Sequence, residues 1–243
     1  MNVFVLKDEA AVGQAVGDMF CALLQKKSDA VLGLATGSSP VPAYRRMIAR
    51  YQAGEVSFRE STTFNLDEYC GLPEEDKNSY HTFMREELFG QIDILHKNTH
   101  FLDGNTADEI AENERFCALI KNAGGIDLQL LGIGRNGHIG FNEPSDEFTG
   151  ACYKTALTES TIAANSVYFD DDSMPRYAMT MGVKMILRAK QIVLIATGNA
   201  KAEAVQAMIE GEVTPQCPAS ALQNHPDVAV YLDQAAAALL KKN

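Results

Sequence analysis

A glycine-rich run carries the strongest chemical signal in the sequence, because it places His138 between Asn136 and Glu143. A histidine surrounded by glycines has few apolar neighbours, so a purely packing role is less expected for it than for most histidines. A nearby carboxylate can orient the imidazole ring and support proton transfer near neutral pH. The run therefore predicts a general acid or base at His138.

The same run contains the spacing G-x-G-x-x-G, which in a suitable context indicates dinucleotide binding. That context includes a helix that begins at the motif, whereas Gly140 and Pro144 would interrupt any helix here. We therefore predict a turn-rich loop and no bound nucleotide. We also expect no metal and no other cofactor, because no second histidine lies at ligand spacing from His138.

Two further loops favour an anion. Thr36, Gly37, Ser38 and Ser39 follow an apolar run and precede a helical pattern, so that free N–H groups, hydroxyls and the helix dipole would attract a negative charge. An ordinary helix cap by Ser38 or Ser39 explains this loop equally well. Lys201 lies at the start of another helix, where the dipole disfavours a cation unless an anion lies beside it. Together the two loops predict one phosphate site.

A fourth loop contains the adjacent carboxylates Asp67 and Glu68. Neighbouring side chains of an extended segment point to opposite sides, so the two cannot both face one pocket while the chain stays extended. One carboxylate that faces a sugar could act as a general base. Taken alone, a helix cap or a solvated pair is the more usual explanation of such a sequence.

The elements that must position these loops alternate between short apolar runs and helical patterns. Strands are predicted at residues 3–6, 31–35, 62–66, 128–131, 191–197 and 228–232, and helices follow most of them, including residues 42–53 and 80–89. This alternation predicts an α/β fold of three layers, a Rossmann-like, mostly parallel sheet with helices on both faces. Ligands of such sheets bind beyond the carboxyl ends of the strands, where all four loops lie. We expect residues 1–243 to form a single domain.

Composition argues against several classes of partner. The 243-residue chain is 46% hydrophobic and 22% charged, with a net charge of -11. That charge opposes binding to nucleic acid and to anionic membranes, and an anionic substrate must be held by a local positive site. The five cysteines are scattered and form no C-x-x-C pair, which favours reduced thiols in a cytoplasmic protein. No secretory signal or membrane span is expected.

The glycine-rich run, LGIGRNGHIGFNEP at residues 131–144, resembles the signature loop of glucosamine-6-phosphate deaminases. Further blocks of the sequence resemble that family in the same order along the chain. They are ATGSSP at 35–40, FNLDEYCGL at 64–72, Asn165-Ser166, YAMTMG at 177–182 and the segment 198–202. The related 6-phosphogluconolactonases share the fold and a Gly-His loop but lack the Phe-Asn-Glu-Pro ending at 141–144.

The resemblance implies conversion of glucosamine 6-phosphate and water to fructose 6-phosphate and ammonia, in the catabolism of amino sugars such as N-acetylglucosamine. It implies that His138 opens the pyranose ring with help from Glu143 and the residue at Asn136. It implies that Asp67 takes the proton from C2 of the open-chain sugar and returns it at C1. The phosphate is then expected on residues 36–39 with Lys201 opposite.

Three departures from the family pattern bear on these expectations. Position 136 is Asn where many members carry Asp, so the amide can orient His138 but adds no charge. Position 167 is Val where many members place an arginine near the phosphate, which leaves Arg176 or Lys184 as candidate substitutes. The chain ends at Asn243, short of the longer C-terminus of hexameric members, so we expect a monomer or small homo-oligomer that an N-acetylated sugar phosphate does not activate.

Three alternatives stay open at this stage. The enzyme could deaminate another amino-sugar phosphate, such as galactosamine 6-phosphate, because no motif shows how the C4 hydroxyl is read. It could be a lactonase, for which Asp67 would be unnecessary. It could also be a non-catalytic sugar-phosphate sensor, although the combination of Asp67, His138 and Glu143 argues against mere binding.

Overall fold

The computed structural model describes residues 1–166, 169 and 173–241. Its main sheet has seven strands in the order β1-β10-β9-β6-β2-β3-β5, and every pairing in it is parallel. These strands are β1 (Asn2–Leu6), β2 (Val31–Leu34), β3 (Thr62–Asn65), β5 (Thr99–His100), β6 (Leu128–Leu131), β9 (Gln191–Ala196) and β10 (Val228–Asp233). The predicted α/β fold is confirmed, and the six predicted strands all belong to this sheet, with ends within one residue of the prediction.

Helices alternate with these strands along the chain. They are α1 (Glu9–Lys26), α2 (Val41–Gln52), α3 (Tyr80–Glu87), α4 (Glu109–Asn122), α5 (Glu159–Asn165), α6 (Val183–Ile186) and α7 (Ala202–Glu210). In the first of them, Asp8 caps the helix by accepting from the Ala11 N–H at 2.8 Å, and Val12, Val16 and Phe20 are buried on its inner face. No helix within the described ranges is long and apolar enough to cross a membrane.

The order of the strands creates one crevice in the sheet. The chain runs from β2 to β3 and β5 in one direction, and then returns through β6, β9 and β10 in the other. Because such crossovers are right-handed, the helices after β2 and β3 lie on one face and those that follow β5 and β9 lie on the opposite face. The carboxyl ends of β2 and β6 are neighbours at this reversal, which is where open α/β sheets bind ligands.

A second sheet, which the sequence pattern did not predict, packs beside that crevice. It is antiparallel, with the order β4-β8-β7, formed by β4 (Asp67–Tyr69), β7 (Tyr153–Ala156) and β8 (Tyr177–Thr180). The chain leaves the main sheet at Leu66 and enters the small one at Asp67, so that β3 and β4 are separated by a single residue. A small apolar cluster joins this sheet to the glycine-rich loop, since it includes Tyr69 of β4, Ala178 of β8 and Phe141.

Candidate functional site

A cleft of about 840 Å³ opens at the carboxyl ends of β2, β3, β6 and β9. The described residues that line it include most of the predicted set, namely Thr36, Gly37, Ser38, Ser39, Asp67, Asn136, His138 and Lys201. Glu143 lies behind His138 and reaches the cleft through its contacts with it. The fold thus brings together all the residues that the sequence singled out for chemistry.

The loop after β2 presents unoccupied donors to the cleft. Buried Tyr44 fixes its start, because the tyrosine hydroxyl accepts from the Ala35 N–H at 3.2 Å and donates to the Ala35 carbonyl at 2.6 Å. The backbone N–H groups of residues 37–39 have no hydrogen-bond partner among the described residues. The N-terminus of α2 is capped by Pro40 without any side-chain hydrogen bond, so neither serine acts as its cap. The anion-binding explanation of this loop is therefore favoured over the simple cap.

Two cations face those donors across the cleft. Lys201 ends the 3₁₀ helix Asn199–Lys201 just before α7, and its Nζ donates to the Ile133 carbonyl at 2.7 Å. Burial, together with the nearby positive charge of Arg135, lowers the pKa of Lys201. Neither Arg135 nor Lys201 forms an ion pair with a carboxylate in the described part of the chain. This end of the cleft therefore carries positive charge that no described carboxylate pairs with.

The positive end differs in one respect from what the sequence predicts. Arg176 and Lys184 are both exposed and do not line the cleft, so neither substitutes there for an arginine at position 167. Val167 itself lies outside the described residues. Arg135 is the additional cation, and the signal for it was its place inside the glycine-rich loop beside His138.

His138 is held in a tight turn of that loop. The Gly134 N–H donates to the His138 carbonyl at 2.8 Å, and a Cβ at position 134 would lie only 2.3 Å from the imidazole ring. Glycine at 134 is thus required for the ring to occupy its position. Residues 132–143 form turns and a bridge between Ile139 and Asn142, with no helix, which confirms the predicted turn-rich loop.

Glu143 lies at the centre of a hydrogen-bond network behind His138. Its carboxylate accepts from Asn136 Nδ2 at 2.6 Å and from the Thr161 hydroxyl at 2.6 Å. Nδ1 of His138 lies 3.2 Å from Glu143 Oε1, within ion-pair distance but not aligned as a hydrogen bond. Burial alone would raise the pKa of Glu143, but the imidazole and the two neutral donors outweigh it and lower the pKa to about 2. A fixed negative charge therefore stands beside the imidazole at neutral pH.

Asp67 lines the same cleft and is only 6% exposed. Its carboxylate accepts no hydrogen bond from any described residue, and Tyr80 lines the same cleft. Burial, with a further contribution from the negative charge of Glu68, raises the pKa of Asp67 to about 8. Gly140, at a φ of 56°, turns the histidine loop toward Asp67, and a Cβ there would lie 3.3 Å from Asp67 Oδ2.

Some residues of the site were not among those that the sequence predicted to act in it, although Asn165 lies in one of the family blocks. Tyr80, Thr161 and Asn165 line the cleft. Tyr80 is the first residue of α3, and Thr161 and Asn165 belong to α5, far from the histidine loop in sequence. No local pattern marks such residues, because it is tertiary packing that brings them to the cleft. Among the described residues, no group of three His, Cys, Asp or Glu side chains is arranged to hold a metal ion.

Comparison with known proteins gives concordant results. A family model described as glucosamine-6-phosphate isomerases/6-phosphogluconolactonase matches residues 7–231. The glucosamine-6-phosphate deaminase of Shewanella loihica is 48% identical over 241 residues, which cover 99% of this chain and 90% of that protein. That of Rhodopirellula baltica is 48% identical over 244 residues, covering 100% and 97% respectively. A solved structure described as a monomeric glucosamine-6-phosphate deaminase has a TM-score of 0.95 and 43% identity, and the match covers 98% of this chain and 100% of that one.

Proposed function

This chain belongs to the family of glucosamine-6-phosphate isomerases and 6-phosphogluconolactonases, and we propose that it is an enzyme that deaminates glucosamine 6-phosphate. The reaction consumes water and yields fructose 6-phosphate and ammonia. One observation favours the deaminase reaction over the lactonase reaction that the same family includes. A buried carboxylate with a raised pKa, Asp67, faces the same cleft as the His138–Glu143 pair and the positive end. A lactonase needs no such base, whereas proton transfer between neighbouring carbons does.

The phosphate of the substrate binds at the positive end. The free N–H groups of residues 37–39 and the hydroxyls of Thr36, Ser38 and Ser39 donate to its oxygens, and the dipole of α2 adds a favourable field. Lys201 and Arg135 supply the neutralising charge. Fixing the phosphate there directs the other end of the sugar toward Asp67 and His138, so binding energy at the phosphate is used to orient C1 and C2.

Ring opening is assigned to His138. Its imidazole moves a proton between the O1 hydroxyl and the ring oxygen, which breaks the C1–O5 bond and gives the open-chain aldehyde. The negative charge of Glu143, held by Asn136 and Thr161, stabilises the protonated imidazole during this transfer. Because position 136 is Asn, it orients Glu143 without adding a second charge.

Isomerisation and deamination are assigned to Asp67. The carboxylate removes the proton from C2, giving an enolamine with a C1–C2 double bond, and the same proton is returned to C1. The C2–N bond is then an imine, to which water adds, and the resulting carbinolamine releases ammonia and leaves the C2 ketone. A nearly unhydrated carboxylate with a pKa raised to about 8 is a stronger base for the first step than an exposed one.

The direct test is to mix the purified protein with glucosamine 6-phosphate and to measure fructose 6-phosphate and ammonia. Stoichiometric release is expected, undiminished by EDTA, and Asp67→Asn and His138→Gln should each lower kcat by about 10²–10⁴-fold. Glu75→Gln and His96→Gln change exposed residues outside the cleft and should leave kcat unchanged. A folded wild-type protein that binds the sugar phosphate but releases no ammonia would contradict the proposal. Galactosamine 6-phosphate and 6-phosphogluconolactone belong in the same substrate panel, and faster turnover of either would reassign the substrate.

We further propose that the enzyme works in the cytoplasm as a monomer or small homo-oligomer. All five cysteines are free thiols, which favours a reducing compartment. The solved relative described as monomeric is similar over its whole length, which supports a small assembly. Light scattering of the purified protein tests this: a mass near 26.5 kDa or a small multiple of it is expected, and a hexamer would contradict it.

A further inference from the structure

Glu68 is buried immediately next to Asp67, but its carboxylate contacts α3 and not the cleft. The two residues alternate across β4, so Asp67 faces the cleft and Glu68 faces α3. The Glu68 carboxylate is 4% exposed and collects four donors. Its Oε1 accepts from the Tyr69 N–H at 2.8 Å and the Tyr80 N–H at 3.0 Å, and its Oε2 lies 3.1 Å from the His81 N–H and 2.8 Å from His81 Nδ1.

These contacts attach the first turn of α3 to β4. Ser79 caps the helix by accepting from the Thr82 N–H at 3.1 Å, and Glu68 takes the N–H groups of the next two residues, Tyr80 and His81. Tyr80 is the residue of that turn that lines the cleft beside Asp67. Glu68, which does not itself line the cleft, therefore helps to hold the backbone of Tyr80 beside it.

The negative charge of Glu68 also acts on the proton affinity of Asp67. Two carboxylates on adjacent residues of a buried strand repel each other. The repulsion favours a proton on the one with fewer donors, which among the described residues is Asp67. The other charged or titratable groups that face Glu68 lie around a cavity of about 310 Å³ behind β4. They are Glu74, whose Oε1 lies 3.4 Å from His81 Nε2, together with His81, His100, Asp103 and Arg115.

We propose that Glu68 is a positioning residue for the reaction: it fixes Tyr80 against the cleft through α3, and its negative charge keeps Asp67 a strong base. The role in turnover rests on the proposed deaminase activity. The effect on Asp67 does not, because it is a property of the protein without substrate. The two parts can therefore fail separately.

The test is to titrate Asp67 directly. In protein labelled with ¹³C at the aspartate carboxyl carbon, the resonance absent from Asp67→Asn identifies Asp67, and its chemical shift is followed against pH. In Glu68→Gln the midpoint should fall by about one pH unit or more, since removing a like charge lowers the proton affinity of the remaining carboxylate. In parallel, the acidic limb of kcat/KM should move to lower pH by a similar amount, and kcat at the plateau should fall about tenfold because the base is weaker.

His81→Phe is the matched control, because it removes the ring donor and keeps a ring to stack on Phe101. It leaves the charge of Glu68 in place, so the midpoint of Asp67 should not fall. An unchanged titration midpoint of Asp67 in folded Glu68→Gln would overturn the proposal. A fall of that midpoint in His81→Phe equal to the fall in Glu68→Gln would overturn it too, because the effect would then come from a less firmly attached α3 and not from the charge of Glu68. If Glu68→Gln does not fold, Glu68→Asp takes its place, because it keeps the charge on a shorter side chain. A titration midpoint of Asp67 near the wild-type value, together with a reduced kcat, supports the proposal. A fall of that midpoint to the value of an ordinary aspartate contradicts it.

Discussion

Gly134→Ala should inactivate the enzyme without unfolding it. The added Cβ would lie 2.3 Å from His138 Cε1 and 2.4 Å from both ring nitrogens, whereas an ordinary contact begins at 3.4 Å. The ring must therefore move by about 1 Å or more, and a displacement of that size can cost about 10²-fold in rate. That factor corresponds to about 2.7 kcal/mol of transition-state stabilisation. Gly134 is not among the glycines with positive φ, so the backbone accepts alanine.

The assay is steady-state formation of fructose 6-phosphate, with thermal unfolding measured on the same samples. We expect kcat to fall about 10²-fold with a smaller change in KM, because the phosphate contacts lie on other loops. The melting temperature should stay within a few degrees of wild type, since the ring is the flexible partner and alanine also reduces the entropy of the unfolded chain. Gly150→Ala is the matched control, because Gly150 is exposed and an added Cβ there meets no atom within 4 Å.

A double variant separates ring displacement from other causes. If Gly134→Ala acts only through the imidazole, then combining it with His138→Gln should be no worse than His138→Gln alone. Full additivity of the two losses would place the damage elsewhere in the loop. A Gly134→Ala enzyme with kcat within threefold of wild type would refute the inferred position of the ring.

Three further outcomes follow from charges in the cleft. Asp67→Asn should melt at a higher temperature than wild type at pH 8 but not at pH 4. Burial raises the folded-state pKa of Asp67 to about 8, so the stability of the wild type falls as the pH rises from its ordinary pKa of 3.8 to that value. An equal difference in melting temperature at both pH values, measured by calorimetry, would contradict this. Glu143→Gln should be less stable than wild type at pH 7, because the folded-state pKa of Glu143 is lowered to about 2. The difference in stability should vanish as the pH falls from 4.5 toward 2. A difference in melting temperature that persists in calorimetry at pH 2 would argue against this. Lys201→Met should raise KM about 10- to 100-fold and weaken inhibition by inorganic phosphate, whereas Lys184→Met, outside the cleft, should change neither.

The main sheet and its loops were predictable because their signals are local. Leu128–Leu131 and Gln191–Ala196 are almost entirely apolar, as expected of strands covered on both faces, and loops after such strands must meet at one edge of a parallel sheet. The divergence of Asp67 and Glu68 was predictable too, since it follows from the alternation of side chains along a strand. Family resemblance supplied the reaction, which no periodicity could reveal.

The antiparallel sheet was missed for a physical reason. Its strands are three or four residues long, and β7 exposes alternate side chains, so none forms the continuous apolar run that marks a buried strand. Its pairings also join distant parts of the chain: Asp67 pairs with Thr180, which in turn pairs with Tyr153. Contacts over such separations are decided by packing and leave no local pattern.

A single residue, Leu66, separates β3 from β4, and this short connection places both Asp67 and Glu68 at the end of β3. Leu66 donates its N–H to the Leu34 carbonyl in the main sheet and accepts from the Met181 N–H beside the small one, so the chain is fixed on both sides where it changes sheets. Asp67 then emerges over the cleft with no donor among the described residues, at a cost in folding free energy that grows with pH. Glu68, one residue later, is satisfied by the turn of α3 that carries Tyr80. Burial raises the pKa of Asp67 and the neighbouring charge of Glu68 raises it further, which is why we expect removal of the Glu68 charge to weaken the base.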